Sequence, residues 1–264
     1  MNHFVEYDSV KVHFDDQGTG GAVVLLHGFL ESMEMWDHLT MNLAKTFRVI
    51  RIDLPGHGKS EVYNQDLTME IMACWVKAVL DHLKVEKCVM VGHSMGGYVT
   101  LEFAGRYPDM IQGFALFHSH ASADTEEARE NRSRTINIVK LDKAGFIKEF
   151  IPDLFTEENA VRFADEIELL QKSASKTPPQ GIIAALEAMR DRTSKIELLL
   201  NAKVPVLFIA GKEDKRIPVQ NVMAQAILPA HAEVLILGNV GHMGFIESRE
   251  KTLDMLRCFI KKAQ

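Results

Sequence analysis

Residues 89–97 read VMVGHSMGG. The apolar residues before Gly92 predict the end of a buried strand, and the segment after Gly97 predicts a helix, so the pattern G-x-S-x-G lies in a tight strand-to-helix turn. Such a turn strains the backbone of Ser94 and exposes its hydroxyl above the edge of a sheet. A side chain at Gly92 or Gly96 would collide with the adjoining strand or helix. We therefore predict that Ser94 is a nucleophile; the alternative is an ordinary turn serine.

Strand-like and helix-like segments alternate on both sides of this turn. Apolar or alternating runs of strand length occur at residues 10–16, 22–26, 47–52, 88–91, 113–117, 205–210 and 233–237. Continuous apolar runs are typical of parallel strands that helices cover on both faces. Residues 121–201 contain only helical patterns, which prolines interrupt. The alternation predicts an α/β fold whose core comprises residues 1–120 and 202–264, with residues 121–201 as a helical cap.

A serine hydroxyl needs a general base, and the base needs a carboxylate that orients it. His242 follows the last predicted strand and lies between glycines, so its imidazole can reach over Ser94. Glu213 and Asp214 both follow the strand at 205–210. The sequence G-x-x-D followed by Ile-Pro favours Asp214. The predicted catalytic residues, in chain order, are then Ser94, Asp214 and His242.

Two backbone amides are candidates for an oxyanion hole. The amide of Met95 follows the nucleophile at the start of a helix, where unpaired N–H groups stabilise negative charge. The second is the amide of Phe29, because Gly28 lets the loop after the strand at 22–26 bend toward the same point. The alternative for this loop is a simple glycine turn.

The remaining candidates concern the pocket. His118 ends a strand and begins the sequence His-Ser-His, which could bind a metal, but the following residues lack a metallo-hydrolase pattern. We therefore predict no metal and place His118 in the lining of the substrate pocket; the alternative is that it packs structurally. Phe146, Phe150 and Met189 of the cap are predicted to line the same pocket, which we expect to accept small or medium apolar acyl groups.

Composition excludes several classes of protein. The 264 residues carry a net charge of −6, and phosphate binding needs a concentrated basic patch, so we expect no nucleic-acid partner. The charged run at 124–134 (DTEEARENRSR) mixes both signs and is interpreted as a solvated helix face. The three cysteines all lie in apolar stretches, which favours buried free thiols. With no signal-peptide pattern and no apolar run long enough to span a membrane, we expect a cytoplasmic monomer or homodimer.

Together these features resemble the α/β-hydrolase superfamily over essentially the whole chain. The matching stretches are HGFLES at 27–32, DLPGHGKS at 53–60, VGHSMGG at 91–97, GKEDKRIP at 211–218 and GH at 241–242. The resemblance implies a mostly parallel eight-stranded sheet with helices on both faces and a helical cap inserted after strand six. It also implies that Asp53, Gly56 and Gly58 hold a structural turn.

The expected activity is a cofactor-free serine hydrolase that cleaves a small carboxylic ester, lactone or thioester. Esterases, enol-lactonases and carbon–carbon bond hydrolases of this superfamily share the motifs, although carbon–carbon bond hydrolases usually have Asn where this chain has His93. Two alternatives stay open. One is a lyase or synthase, or a carbon–carbon bond hydrolase, that uses the same three residues. The other is a non-catalytic ligand-binding module.

Overall fold

The computed structural model describes residues 3–63 and 66–264. Their strands form one sheet in the order β1-β2-β4-β3-β5-β6-β7-β8. The strands are β1 (His3–Tyr7), β2 (Val10–Gln17), β3 (Ala22–Leu26), β4 (Arg48–Ile52), β5 (Cys88–His93), β6 (Ile111–Phe117), β7 (Val206–Gly211) and β8 (Ala232–Leu237). The first strand, β1, has no counterpart among the runs found in the sequence.

Strands β3 to β8 run parallel to one another, and β2 pairs antiparallel with both β1 and β4. The predicted fold class, a mostly parallel eight-stranded sheet of the α/β-hydrolase type, is confirmed. Every residue of β3, β5 and β7 is buried, as the continuous apolar runs predict. Parallel strands end at a common edge, so the loops after β3, β5, β6, β7 and β8 meet there.

Helices join most of the strands. They are α1 (Asp37–Leu43), α2 (Met69–His82), α3 (Met95–Arg106), α4 (Glu126–Phe150), α5 (Glu157–Arg162), α6 (Ala164–Ser175), α7 (Pro179–Arg190), α8 (Ile196–Leu200), α9 (Val219–Ala226), α10 (Gly244–Glu247) and α11 (Arg249–Ala263), with short 3-10 turns at Met33–Trp36, Pro108–Met110 and Pro152–Leu154. The hydroxyl of Thr68 accepts a hydrogen bond from the Ile71 amide and so caps α2.

Helices α4 to α8 all lie between β6 and β7 along the chain. The long helix α4 is kinked at Asp142, whose backbone is not helical, and it packs against α6 and α7. This helical segment coincides with the strand-free residues 121–201. The division of the chain into a core and a cap at those boundaries stays a prediction.

The turn after β4 is held by the carboxylate of Asp53, which accepts hydrogen bonds from the amides of Met33 (2.8 Å) and Lys59 (2.9 Å). Gly56 and Gly58 in this turn have positive φ, of 74° and 55°, where a side chain would be strained. The turn therefore has the form that the resemblance implies.

The cysteines differ from expectation. Cys88 is buried in β5, but Cys74 is half-buried and Cys258 is exposed on the outer face of α11. The expectation of three buried thiols is wrong for Cys258 because the apolar residues around it alternate with solvent-facing positions of a helix. Over the described ranges, the helices lack the length and apolar character needed to cross a bilayer.

Candidate active site

Ser94 lies between β5 and α3 with φ 49° and ψ −112°, a conformation that costs about 1–3 kcal/mol in a non-glycine residue. Neighbouring groups hold it there. The Ser94 amide donates to the carbonyl of Phe117 (2.9 Å), and the hydroxyl of Ser119 donates to the carbonyl of Ser94 (2.8 Å). The end of β6 and the loop that follows it thus fix the turn after β5.

The glycines of this turn are required by close packing. A Cβ on Gly92 would lie 2.2 Å from the carbonyl oxygen of Gly96, and a Cβ on Gly96 would lie 2.4 Å from the carbonyl oxygen of Leu26. Both contacts are with backbone atoms, which cannot rotate away. The prediction of steric exclusion at both positions is confirmed by these distances.

His242 is oriented by Asp214. Its Nδ1 lies 2.8 Å from Oδ2 of Asp214, and the other carboxylate oxygen, Oδ1, accepts hydrogen bonds from the amides of Arg216 (2.8 Å) and Ile217 (2.9 Å). Burial alone would raise the pKa of Asp214, but His242 and His118 hold that pKa well below its usual range. Glu213, the rival for this position, instead accepts a hydrogen bond from the Val240 amide (3.0 Å).

His118 was predicted to line the pocket. It lies instead behind His242 and Asp214, outside the lining of the cavity. Its Nδ1 donates to Oδ2 of Asp214 (2.9 Å), and its Nε2 accepts from the Gly244 amide (3.3 Å). Burial lowers the pKa of His118 to about 4, so the ring is a neutral donor. The reason for the different position is local: φ at His118 is 49°, which turns the side chain away from the direction that a continuing strand would give it.

Nitrogen and oxygen atoms of His118, Asp214 and His242 lie within 4.8 Å of one another, which makes them a candidate set of metal ligands. Oδ2 of Asp214 already accepts from both imidazoles, and Nε2 of His118 accepts from a backbone amide. A metal ion would have to replace the hydrogen bond that orients His242. The donor set therefore fits a hydrogen-bonded cluster better than a cation site.

A second buried pair, Glu31 and His93, connects the two sides of the site. Nδ1 of His93 lies 3.0 Å from Oε2 of Glu31, and Nε2 lies 3.0 Å from the carbonyl oxygen of His242. Both partners are acceptors, so the ring carries both protons. Burial alone would lower the pKa of His93, but Glu31 raises it. The same Oε2 accepts from the Gly28 amide (2.6 Å), so His93 couples the loop after β3 to the His242 loop.

The two amides predicted for an oxyanion hole belong to Phe29 and Met95. Among the described residues, neither amide has a hydrogen-bond acceptor. Phe29 lies in the loop that the Gly28–Glu31 hydrogen bond fixes, and Met95 is the first residue of α3. Unpaired amides at a helix start and in a glycine turn are suited to bind an oxyanion. Their assignment to that role stays a prediction.

A cavity of about 860 Å³ opens above this edge of the sheet. Its lining includes Ser94, His242 and Phe29, and the predicted cap residues Phe150 and Met189. The predicted residue Phe146 is not in the lining; its ring packs behind, 5.1 Å from Phe150 and 6.5 Å from Phe29 between ring centroids. Asp214 and Met95 lie beneath the surface of the cavity, consistent with roles that act through His242 or a backbone amide.

The charged run at 124–134 is not a uniformly solvated helix face. The carboxylate of Asp124 is buried and pairs with the guanidinium groups of both Arg132 and Arg192. Asp124 and Arg132 line the cavity. The expectation fails here because the second partner, Arg192, lies far along the chain, where a local pattern cannot show it.

Comparisons with known proteins agree with this geometry. A family model described as the alpha/beta hydrolase fold matches residues 21–139. The dihydrolipoyllysine-residue acetyltransferase component of the acetoin cleaving system of Pseudomonas putida is 31% identical over 254 residues; the match covers 94% of this chain, which spans 66% of that relative's length. The 2-hydroxy-6-oxononadienedioate/2-hydroxy-6-oxononatrienedioate hydrolase of Burkholderia vietnamiensis is 26% identical, and the match covers 96% of this chain and 92% of that relative. The structure of a malate-bound thermophilic esterase from Thermogutta terrifontis superposes with a TM-score of 0.94 at 32% identity, covering 100% of this chain and 99% of that one.

Proposed function

The chain belongs to the α/β-hydrolase family, and from that premise we propose that it is a serine hydrolase that cleaves a small carboxylic ester, lactone or thioester. The observation that carries the proposal is the hydrogen bond between His242 and Asp214 beside a cavity that Ser94 also lines. The esterase of Thermogutta terrifontis, at 32% identity over the whole chain, supports ester cleavage.

In the proposed cycle, Nε2 of His242 takes the proton of the Ser94 hydroxyl as Oγ attacks the carbonyl carbon. The amides of Phe29 and Met95 stabilise the tetrahedral oxyanion. His242 then gives its proton to the leaving alcohol, and an acyl-enzyme remains. A water molecule, deprotonated by His242, attacks the acyl carbon, and the proton returns to Ser94 as the acid leaves. Asp214 holds the tautomer of His242 throughout. The cycle needs no cofactor, and we propose a cytoplasmic setting for it.

Labelling with a fluorophosphonate probe tests the nucleophile. We expect the mass adduct on Ser94 in the native protein, none in Ser94→Ala, and a sharp reduction in His242→Ala. Folded native protein that takes up no probe would contradict the proposal.

Turnover of p-nitrophenyl acetate tests which carboxylate orients His242. Asp214→Ala should reduce kcat by about 10⁴-fold, the loss found when the orienting carboxylate of such a triad is removed. Glu213→Ala is the matched control, because Glu213 bonds only a loop amide in the region described and should keep activity within a few-fold. A larger loss at Glu213 would reassign the carboxylate.

Carbon–carbon bond cleavage by the same residues is the second candidate, supported by the 26% identical hydrolase of Burkholderia vietnamiensis. The two are separated by offering the native protein a 2-hydroxy-6-oxo-dienoate and simple esters under the same conditions. Consumption of the dienoate with a far higher kcat/KM than any ester would replace the first candidate by the second.

A further inference from the structure

Asp124 is a buried carboxylate held between two arginines. Its side chain is 5% exposed, that of Arg192 is 3% exposed and that of Arg132 is 22% exposed. Two guanidinium groups share one carboxylate, so the cluster carries one excess positive charge next to the cavity. A buried charge that its neighbours do not neutralise is unfavourable unless a ligand or solvent compensates it.

The two terminal nitrogens of Arg192 are occupied by the protein itself, whereas its buried Nε has no hydrogen-bond partner among the described residues. Besides Asp124, Arg192 donates to the carbonyl oxygens of Met189 (2.7 Å) and Ser122 (3.0 Å), and its guanidinium lies over the ring of Tyr98, 4.0 Å from the centroid. Arg132 is different. Its Nε bonds Asp124, while its Nη1 is directed at the sulfur of Met189 (3.4 Å), a weak acceptor that an anion would easily replace.

The wall around Arg132 is polar. Ala128, Asn131, Arg132 and Thr135 follow the i, i+3, i+4, i+7 spacing of one face of α4, and all four line the cavity. The neighbouring His120 lies among the same charges: burial, Arg192 and Arg132 lower its pKa to about 4, while Asp124 acts in the opposite direction. The excess positive charge of the cluster lies at this wall of the cavity. A positive charge does not stabilise an apolar acyl chain. This wall therefore differs from the apolar pocket that the sequence suggested.

The cluster is connected to the nucleophile. Tyr98 lies one helical turn after Ser94 on α3, about 6 Å along the axis, and Arg192 stacks on its ring. Arg132 is linked to Arg192 through Asp124 and lines the same cavity as Ser94. A ligand group bound at Arg132 would therefore share that cavity with the reacting carbonyl.

We propose that Arg132, held by Asp124 and Arg192, binds a carboxylate of the substrate, which makes the protein selective for half-esters or lactones that carry a second, ionised carboxyl group. The proposal rests on the proposed ester hydrolysis and adds the substrate class. Arg132 acts here as a specificity-determining residue and takes no part in the bond-breaking steps.

The test compares monomethyl adipate with methyl hexanoate, which have the same acyl chain length and differ in the terminal carboxylate. Proton release reported by a pH indicator gives kcat/KM for each. The native protein should prefer monomethyl adipate, and Arg132→Met should lower kcat/KM for this ester by about 10-fold to 100-fold, the range for a charge-assisted hydrogen bond. The same variant should change methyl hexanoate turnover less than about 3-fold. Arg132→Lys should recover part of the loss.

Two further variants make the assignment specific. Arg129→Met, on the exposed side of α4, removes a positive charge that pairs with Asp191 and should leave both esters unaffected. Arg216→Met tests the other arginine of the cavity lining, which pairs with Asp153 at 2.7 Å. Loss of adipate selectivity in Arg216→Met and not in Arg132→Met would overturn the proposal, as would equal losses on the two esters in Arg132→Met.

A binding measurement separates this proposal from the proposed function. Calorimetry with free adipate should give binding to native protein and weakened binding to Arg132→Met of equal thermal stability. If neither ester is hydrolysed but adipate still binds through Arg132, ester hydrolysis fails and the carboxylate site stands. If esters are hydrolysed and adipate does not bind, the carboxylate site fails alone.

Discussion

Replacement of His118 by Phe removes the second imidazole from Asp214 while keeping a ring of similar shape. The hydrogen bond from Nδ1 to Oδ2 (2.9 Å) is lost, and a bond to a charged group contributes about 1.5–3 kcal/mol. The Gly244 amide, which donates to Nε2 at 3.3 Å, loses its acceptor and costs about 1–3 kcal/mol more. For a chain of this length the variant should therefore unfold at a Tm lower by roughly 5–20 °C.

The effect on catalysis has a definite sign. In the native protein Oδ2 of Asp214 is shared by His118 and His242. In His118→Phe it serves His242 alone, and the carboxylate loses one of the contacts that fix its position beside that imidazole. If about 1 kcal/mol of the orientation of His242 is lost with that contact, kcat falls by about 5-fold.

The assay is the kcat of p-nitrophenyl acetate turnover, with Tm measured on the same samples. His118→Asn is the matched control, because Asn tolerates the positive φ of this position and keeps an N–H donor. It should restore part of the native kcat. A native kcat together with a lowered Tm would show that His118 only packs, and a higher kcat would refute the reasoning.

Three other outcomes are expected. The pKa of Glu31 is lowered and that of His93 is raised, so the two groups stabilise each other. This stabilisation is complete above about pH 4.5 and below about pH 6.5, and it is lost as the pH leaves that range in either direction. In urea unfolding, Glu31→Gln should therefore destabilise the protein most near pH 5–6 and less in alkaline solution. Gly96→Ala should cost more than about 3 kcal/mol or abolish folding, whereas Gly105→Ala, in the same helix with open space around its Cβ, should stabilise by about 0.5–1 kcal/mol in the same experiment. The thiol of Cys88, whose pKa burial raises to about 12, should resist iodoacetamide until the protein unfolds, as peptide mass spectrometry would detect.

The sequence predicts the sheet well because its central strands are buried on both faces and appear as uninterrupted apolar runs. The exposed first strand, β1, has the burial pattern of a surface hairpin, which leaves little hydrophobic periodicity to detect. The same contrast holds in the site. Ser94, Asp214 and His242 follow three such buried or half-buried strands, so the sheet's register brings them to one edge.

His118 shows where this reasoning stops. Its position after β6 is predictable, but its direction depends on a single backbone angle, φ 49°, which few non-glycine residues adopt even though histidine is enriched among them. The contacts at its two ring nitrogens, with Asp214 and with the Gly244 amide, help to stabilise that conformation. These partners come from loops after two other strands, so the role of His118 is a property of the assembled edge and of no local motif.

The side chains of α4 that line the cavity are harder to predict from the sequence than Ser94, Asp214 and His242, for a related reason. Side chains at strand ends are placed by backbone pairing, whereas those of α4 are placed by the rotation of a helix, which its kink at Asp142 and its packing on α6 and α7 determine. A rotation of one residue, about 100°, would turn Arg132 out of the cavity and bring the uncharged Asn131 or Ser133 into its place. The proposed chemistry and the proposed specificity are therefore encoded at different levels: the placement of Ser94, Asp214 and His242 follows from sheet topology, and the placement of Arg132 depends on the docking of one helix.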